Sequence, residues 1–384
     1  MIFLYAIHIL VIKALNNRFI KPLRIFLLLL TGCCYTAATA QDAPSQDFIL
    51  SAQGHYGYII SHRNNISHLI KGHIYGGEIN YLFRTDGKKA WEQIHHYPEL
   101  GICALHLYLA NPAQLGTLEA LYPYTNIRLN KMQRSWKLNL RLGVGLAVIT
   151  KPFNRITNHK NNAIGSYLNG FVNLRLSYAV MLSKAWRLDA GVGLTHASNG
   201  AMETPNLGLN MATINLGIGY AIGNKDIKYI KDTIPKCIKK WHPMLIAVFG
   251  IRELEQPDGP KYMAYGAQIN VYRTLNYKNR LGGGIEVAYN NTTRKYEEND
   301  SIKNPKFKDI VTIGAKISYA FTFNRISLPV DFGYYLYNKE LPFGHVFHRI
   351  GIRYMITKHL IANVTLLTHF ARADYFEWGL GYEL

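Results

Sequence analysis

The sequence predicts an all-β chain that crosses a membrane as an antiparallel barrel, and three observations carry that prediction. Only 17% of the 384 residues are charged while 48% are hydrophobic, about a third fewer charges than the ~25% of ordinary soluble domains. Long segments alternate between apolar and polar-or-small residues, the period of a strand. Those runs reach 11 to 13 residues, longer than the soluble mode of about 5–6 and suited to the ~9–11 residues of a tilted membrane strand. Beyond the N-terminus no uncharged apolar run approaches the ~18 residues of a spanning helix, which excludes a helical membrane protein. The 27 Tyr, 16 Phe and 5 Trp exclude a disordered chain.

The N-terminus reads as an export signal. Residues 1–40 hold Lys13, Arg18, Lys21 and Arg24 and no acid, then the apolar stretch Ile25 to Leu30, then Ala38-Thr39-Ala40 before Gln41. That order of basic, apolar and small blocks predicts cleavage after Ala40. Leu30-Thr31-Gly32-Cys33 resembles a lipobox and offers lipidation at Cys33 as the alternative. After removal of this segment the chain keeps +15 of its formal +19 charge. Such a charge often marks nucleic-acid binding, but export leaves a phosphorylated lipid surface as the polyanion to expect. Cys103 and Cys237 remain, enough for one bridge or two free thiols.

The strands justify themselves in order. Trp136, Leu138, Leu140, Leu142, Val144, Leu146 and Val148 share one face, opposite Lys137, Asn139, Arg141, Gly143, Gly145 and Ala147. Val172 to Leu182 and Val311 to Phe321 repeat the pattern. A soluble periplasmic sandwich or lipocalin-like barrel would also alternate, but the length of nearly every strand favours a polar lumen with lipid outside. Tyr122-Pro123-Tyr124 and Tyr334-Tyr335 are expected at the membrane interfaces, and scattered His55, His62, His68 and His73 at the surface without metal spacing. Phe376, Trp378, Leu380, Tyr382 and Leu384 form a last strand that runs to the chain end, as in outer-membrane barrels, which usually end in Phe. The count is eight strands between Phe48 and Gly223 and six to eight between Met244 and Leu384, hence 12 to 16 strands in one barrel or two. The domain reading is a signal over 1–40, a first half over 41–223, a basic solvated linker over 224–242 and a second half over 243–384. Leu182-Ser-Lys followed by Leu194-Thr-His is echoed by Ile356-Thr-Lys followed by Leu367-Thr-His, which suggests a duplication.

One hairpin carries chemistry. Continuing the register of Leu188, Ala190, Val192 and Leu194 places His196 and Ser198 on the lipid-facing side, and Asn210 begins the same face of the returning strand. Three polar residues on an apolar face are costly. His196 is suited to take the Ser198 proton and Asn210 to hold the imidazole tautomer. The backbone N–H groups of Asn199 and Gly200 and the side chains of Asn199 and Asn206 are candidates for the oxyanion. The bland reading of Ser198-Asn199-Gly200 is a turn that ends a strand. Glu203 is a weaker substitute for the acid, being in the loop at the wrong spacing.

The segment His196-Ala-Ser-Asn-Gly through Pro205-Asn-Leu-Gly to Asn210 resembles the signature of the outer-membrane lipid A 3-O-deacylases. The resemblance implies an eight-stranded barrel whose lipid-facing Ser-His-Glu site removes an acyl chain from lipid A, with Ser198 as nucleophile, His196 as base and Asn206 supporting the oxyanion. Asn210 departs from the family's Glu. The close match covers about 15 residues, and the chain is about twice the family's usual length. Outer-membrane phospholipase A shares H-x-S-N-G with Asn fourteen residues on, but lacks the Pro205 to Gly208 run. It is the alternative with phospholipid as substrate, and only under that reading is calcium a cofactor; otherwise none is expected. A non-catalytic barrel or porin with a dead motif is the third reading.

Overall fold

The computed structural model describes residues 48–132, 134–223, 227–254, 256–299, 305–339, 344–370 and 372–384. The export signal with its Ala38–Ala40 site, and Cys33, lie outside the described residues. Among the described residues sixteen antiparallel strands follow one another. The first eight are β1 (Phe48–Ile59), β2 (Ile74–Arg84), β3 (Glu99–Tyr108), β4 (Thr117–Arg128), β5 (Trp136–Ile149), β6 (Leu168–Met181), β7 (Trp186–Ser198) and β8 (Leu209–Ile222). The rest are β9 (Trp241–Glu253), β10 (Lys261–Asn276), β11 (Asn279–Asn290), β12 (Val311–Phe323), β13 (Ile326–Tyr337), β14 (Val346–Met355), β15 (Leu360–His369) and β16 (Arg372–Glu383).

Within each barrel every strand pairs with the next, because antiparallel neighbours need only a short connection. The chain closes as two eight-stranded barrels. β1 seals on β8 from Phe48↔Ile222 to Ile59↔Met211, and β9 seals on β16 from Met244↔Glu383 to Gly250↔Glu377. Between them residues 227–240 carry no regular structure. They are tied to the lower loops by Ile230 N–H to Asp86 O (2.8 Å) and by the hydroxyls of Tyr97 and Tyr277, which donate to Ile230 O and Pro235 O.

The faces fall as the alternation dictates. Val144, Leu146, Val172 and Leu174 are exposed outward, while Asn139, Arg141, Asn173 and Arg175 are buried inward. Each interior holds ion clusters beside its buried apolar side chains. In the first barrel Glu78 takes both terminal nitrogens of Arg175 (2.6 and 2.7 Å), Arg141 (3.2 Å) and His55 Nε2 (3.0 Å). In the second, Arg349 is bidentate to both Glu286 and Glu377, and Lys316 pairs with Asp331 at 2.8 Å. Removing one member of such a cluster strands a buried charge, which typically costs about 3–5 kcal/mol.

Three expectations are corrected here. Tyr122 and Tyr124 do not form a girdle: they point into the lumen. They fill the space beside Gly143 and Gly145, and Arg141 lies 3.7 Å over the Tyr124 ring. Only Pro123 of that triplet faces out, since residues 122 and 124 share a face by period 2 and that face is the inner one. In the second pair Tyr334 is exposed but Tyr335 is buried inward. His55 is a buried partner of Glu78 rather than a surface group, whereas His62, His68 and His73 are exposed. Cys103 and Cys237 are both free thiols, the first buried in the first barrel and the second in the linker.

Candidate active site

The loops at 60–73, 109–116, 150–167 and 199–208 share the upper end of the first barrel. β7 and β8 bring the candidate residues there. Their ladder runs from Trp186↔Tyr220 up to Ala197↔Leu209, and His196↔Asn210 is the pair just below its top. Along β7 the even residues Val192 and Leu194 are half exposed to the outside, and Asp189, Thr195 and Ala197 are buried inside. The same pleat turns His196 outward, and Asn210 faces it across the ladder. His196 Nδ1 lies 2.6 Å from Asn210 Oδ1. An amide oxygen only accepts, so Nδ1 carries the proton and Nε2 is left as the basic nitrogen.

Ser198 is one pleat higher on the same face and buried. Asn206 covers it: Nδ2 donates to Ser198 Oγ at 2.9 Å, and Oδ1 stands 3.2 Å from the same oxygen. Gly200 N–H donates to Ser198 Oγ at 3.2 Å. Asn206 Oδ1 also accepts the Asn199 N–H at 3.1 Å. The Asn199 side chain turns the other way, donating to Ser166 Oγ (2.8 Å) and Glu203 O (2.9 Å). Two N–H groups, from Gly200 and Asn206, therefore converge on Ser198 Oγ, while Asn199 ties the loop to itself and to the β5–β6 loop. No hydrogen bond joins Ser198 to His196 here; such bonds often tighten only with substrate in place.

Gly208 makes room for the imidazole. Its φ is +76°, and a Cβ there would stand 2.9 Å from His196 Cε1. From the opposite loop His62 Nε2 lies 3.1 Å from Leu207 O. Glu203, the weaker acid candidate, is engaged by Lys261 Nζ at 2.8 Å instead of reaching His196. Ser166 and Gly208 were not singled out as functional from sequence. Gly208 lies within the His196–Asn210 motif, but Ser166 sits 33 residues from its partner Asn199 with no local signal.

The echoed Leu-Thr-His of the second half also ends the seventh strand of its barrel, yet His369 points the other way. It is buried in the lumen with Nε2 3.1 Å from Tyr335 Oη. Lys184 to His196 spans twelve residues and Lys358 to His369 eleven. A one-residue change flips every side chain to the opposite face. Among the described residues no group of three His, Cys, Asp or Glu side chains is placed to hold a metal.

A family model described as lipid A 3-O-deacylase (PagL) matches residues 75–219. A second, described as acyloxyacyl hydrolase, C-terminal domain, matches residues 240–384. No curated protein matches the chain. Among solved structures, a mutant of the TodX monoaromatic hydrocarbon channel is 10% identical over 89% of this chain and 91% of that one, with a TM-score of 0.18. The Pseudomonas putida toluene transporter TodX is 9% identical over 89% and 90%, and a mutant Rh. blastica porin 9% identical over 88% and 100%, both with a TM-score of 0.18. At such scores these likenesses carry no argument about this chain.

Proposed function

We propose that this chain, which belongs to the lipid A 3-O-deacylase family, removes an ester-linked acyl chain from lipid A at Ser198 of its outer-membrane barrel. The observation that carries this reading is the convergence on one outward face of the 2.6 Å His196–Asn210 contact and a serine oxygen held by Asn206 and Gly200. A substrate embedded in the membrane meets that face directly.

In this mechanism Nε2 of His196 takes the Ser198 proton as Oγ attacks the ester carbonyl. Asn210 keeps the proton on Nδ1 and orients the ring as it becomes charged. The negative charge that develops on the carbonyl oxygen meets the Gly200 N–H and Asn206 Nδ2, which already lie beside Oγ. The sugar hydroxyl leaves with the proton from His196. Water, activated by the same nitrogen, then frees the fatty acid and restores Ser198.

The buried ion clusters in both interiors count against a pore, and the family matches lend no support to the phospholipase or porin alternatives. The test is mass spectrometry of lipid A and phospholipids from membranes holding the wild type or Ser198→Ala. Wild type should shorten lipid A by one acyl chain, and the variant should lose at least ~10⁴-fold in rate. Equal deacylation by both proteins would remove Ser198 from the reaction, and loss of acyl chains from phospholipids alone would change the substrate.

A further inference from the structure

The loop that carries Asn199, Gly200 and Asn206 belongs to the first barrel, but the second barrel grips it. β9 and β10 end on the pair Glu253↔Lys261, and both side chains turn to this loop. Glu253 is 3% exposed. Its carboxylate accepts the backbone N–H of Thr204 and, at 3.1 Å, the Thr204 hydroxyl, while its own N–H donates to Ala201 O at 2.9 Å. Thr204 Oγ1 is also 3.1 Å from Leu254 O, and Lys261 Nζ is 2.8 Å from Glu203. Phe376 of β16, the strand beside β9, lies against Gly200 and Gly170, so a Cβ on Gly200 would run into its ring.

A buried carboxylate persists only where its oxygens are hydrogen-bonded. The Glu253 carboxylate accepts from both the N–H and the hydroxyl of Thr204, two positions before Asn206. Asn206 in turn touches Ser198 Oγ. The chain of contacts from Glu253 through Thr204 and Asn206 thus ends on the candidate nucleophile.

We propose that Glu253 of the second barrel is a positioning residue for ester cleavage, holding the 199–208 loop so that the Gly200 and Asn206 donors meet the oxyanion. This rests on the deacylase reading of Ser198. The second barrel contributes no reacting atom; it fixes where two donors stand, and a displacement of about 1 Å at such a site is enough to cost ~10²-fold in rate.

The experiment uses the full chain in detergent with lipid A as substrate, comparing wild type with Glu253→Ala, Glu253→Gln and Thr204→Val. Glu253→Ala should lower kcat by roughly 10- to 100-fold with KM changed less than about twofold, because the donors act in the transition state. Glu253→Gln keeps an oxygen for the Thr204 N–H and should recover most of the loss. Thr204→Val, altered on the other barrel, should fall in the same direction. Heat-modifiable gel mobility reports that the barrels remain folded. A second readout needs no catalysis: a Glu-specific protease should cut after Glu203 faster in Glu253→Ala than in wild type or Glu253→Gln. Wild-type kcat in Glu253→Ala, or a Gln variant as defective as the Ala one, overturns the proposal. A wild type that leaves lipid A intact defeats the deacylase reading; an unchanged cut after Glu203 defeats the brace itself.

Discussion

His196 and Asn210 form the shortest contact of the site at 2.6 Å, and that contact fixes a tautomer without supplying a charge. An Asn oxygen holds Nδ1–H as a carboxylate would, but would do less to stabilise the imidazolium of the proposed attack. Asn210→Glu should therefore be tolerated, with a rate equal to or above wild type. It stands near the end of the hairpin, where an ionised group facing lipid costs roughly 0–1 kcal/mol. Asn210→Ala frees the ring to protonate Nε2 and should lower ester hydrolysis by up to ~10⁴-fold. Both variants belong in one detergent assay on lipid A, and full activity in the Ala variant would take Asn210 out of the site. At this scale the sequence is informative because period 2 assigns faces: it puts His196, Ser198 and Asn210 on one face, and His196 and Asn210 meet across the ladder. It could not divide the labour of two neighbouring amides. Asn199 and Asn206 look alike in sequence, yet one ties the loop to Ser166 and the other covers Ser198 Oγ.

The loop of the β7–β8 hairpin shapes the candidate site, and Gly208 is one position in it that leaves no room for a side chain. A φ of +76° is strained for any side chain, and a Cβ would press on His196 Cε1 at 2.9 Å. Gly208→Ala should displace the imidazole and cut kcat by roughly 10²-fold while the barrel stays folded, since displacements near 1 Å are enough. Heat-modifiable mobility alongside lipid A turnover checks this; unchanged turnover would mean the ring has room to spare. Strand existence and order were legible at this scale, because runs like Trp136 to Val148 have no other stable reading. Which face of β4 points inward was not. Tyr122 and Tyr124 suit an interface by type, and their inward placement follows from the glycines of the neighbouring strand that leave them space. Likewise His369 keeps the wording of the His196 strand and loses its face through one missing residue. The Glu253–Thr204 contact joins residues 49 apart on different barrels, and no local pattern announces it.

The described residues form two closed barrels joined by contacts at both ends, and the lower contact contains its own titratable group. Between β2 and β3 a short helix, Ala90–Ile94, presents Trp91 and His95 to the second barrel. Their rings stand 5.2 and 4.5 Å from the Phe323 ring at the end of β12. Burial in this aromatic contact, with Lys278 and His96 adding positive charge nearby, brings the His95 pKa down from the ordinary 6.5 to about 4. The sign follows from linkage. Separated from the contact, His95 would bind a proton below pH 6.5, while in place it stays neutral down to about pH 4. The stability it lends is therefore complete above pH 6.5 and is lost as the pH falls from there through about 4. The lower contact should loosen over that window while the strand ladders, closed by backbone hydrogen bonds, stay intact. Trp91 reports it: the fluorescence of wild type minus that of Trp91→Phe should shift toward the solvent-exposed spectrum between pH 6.5 and 4. In His95→Phe, which keeps an aromatic ring and removes the proton site, the same difference should stay flat across the window. A shift of equal size in His95→Phe would assign the pH dependence to another group, and no shift in wild type would mean that the contact holds His95 charged as readily as neutral.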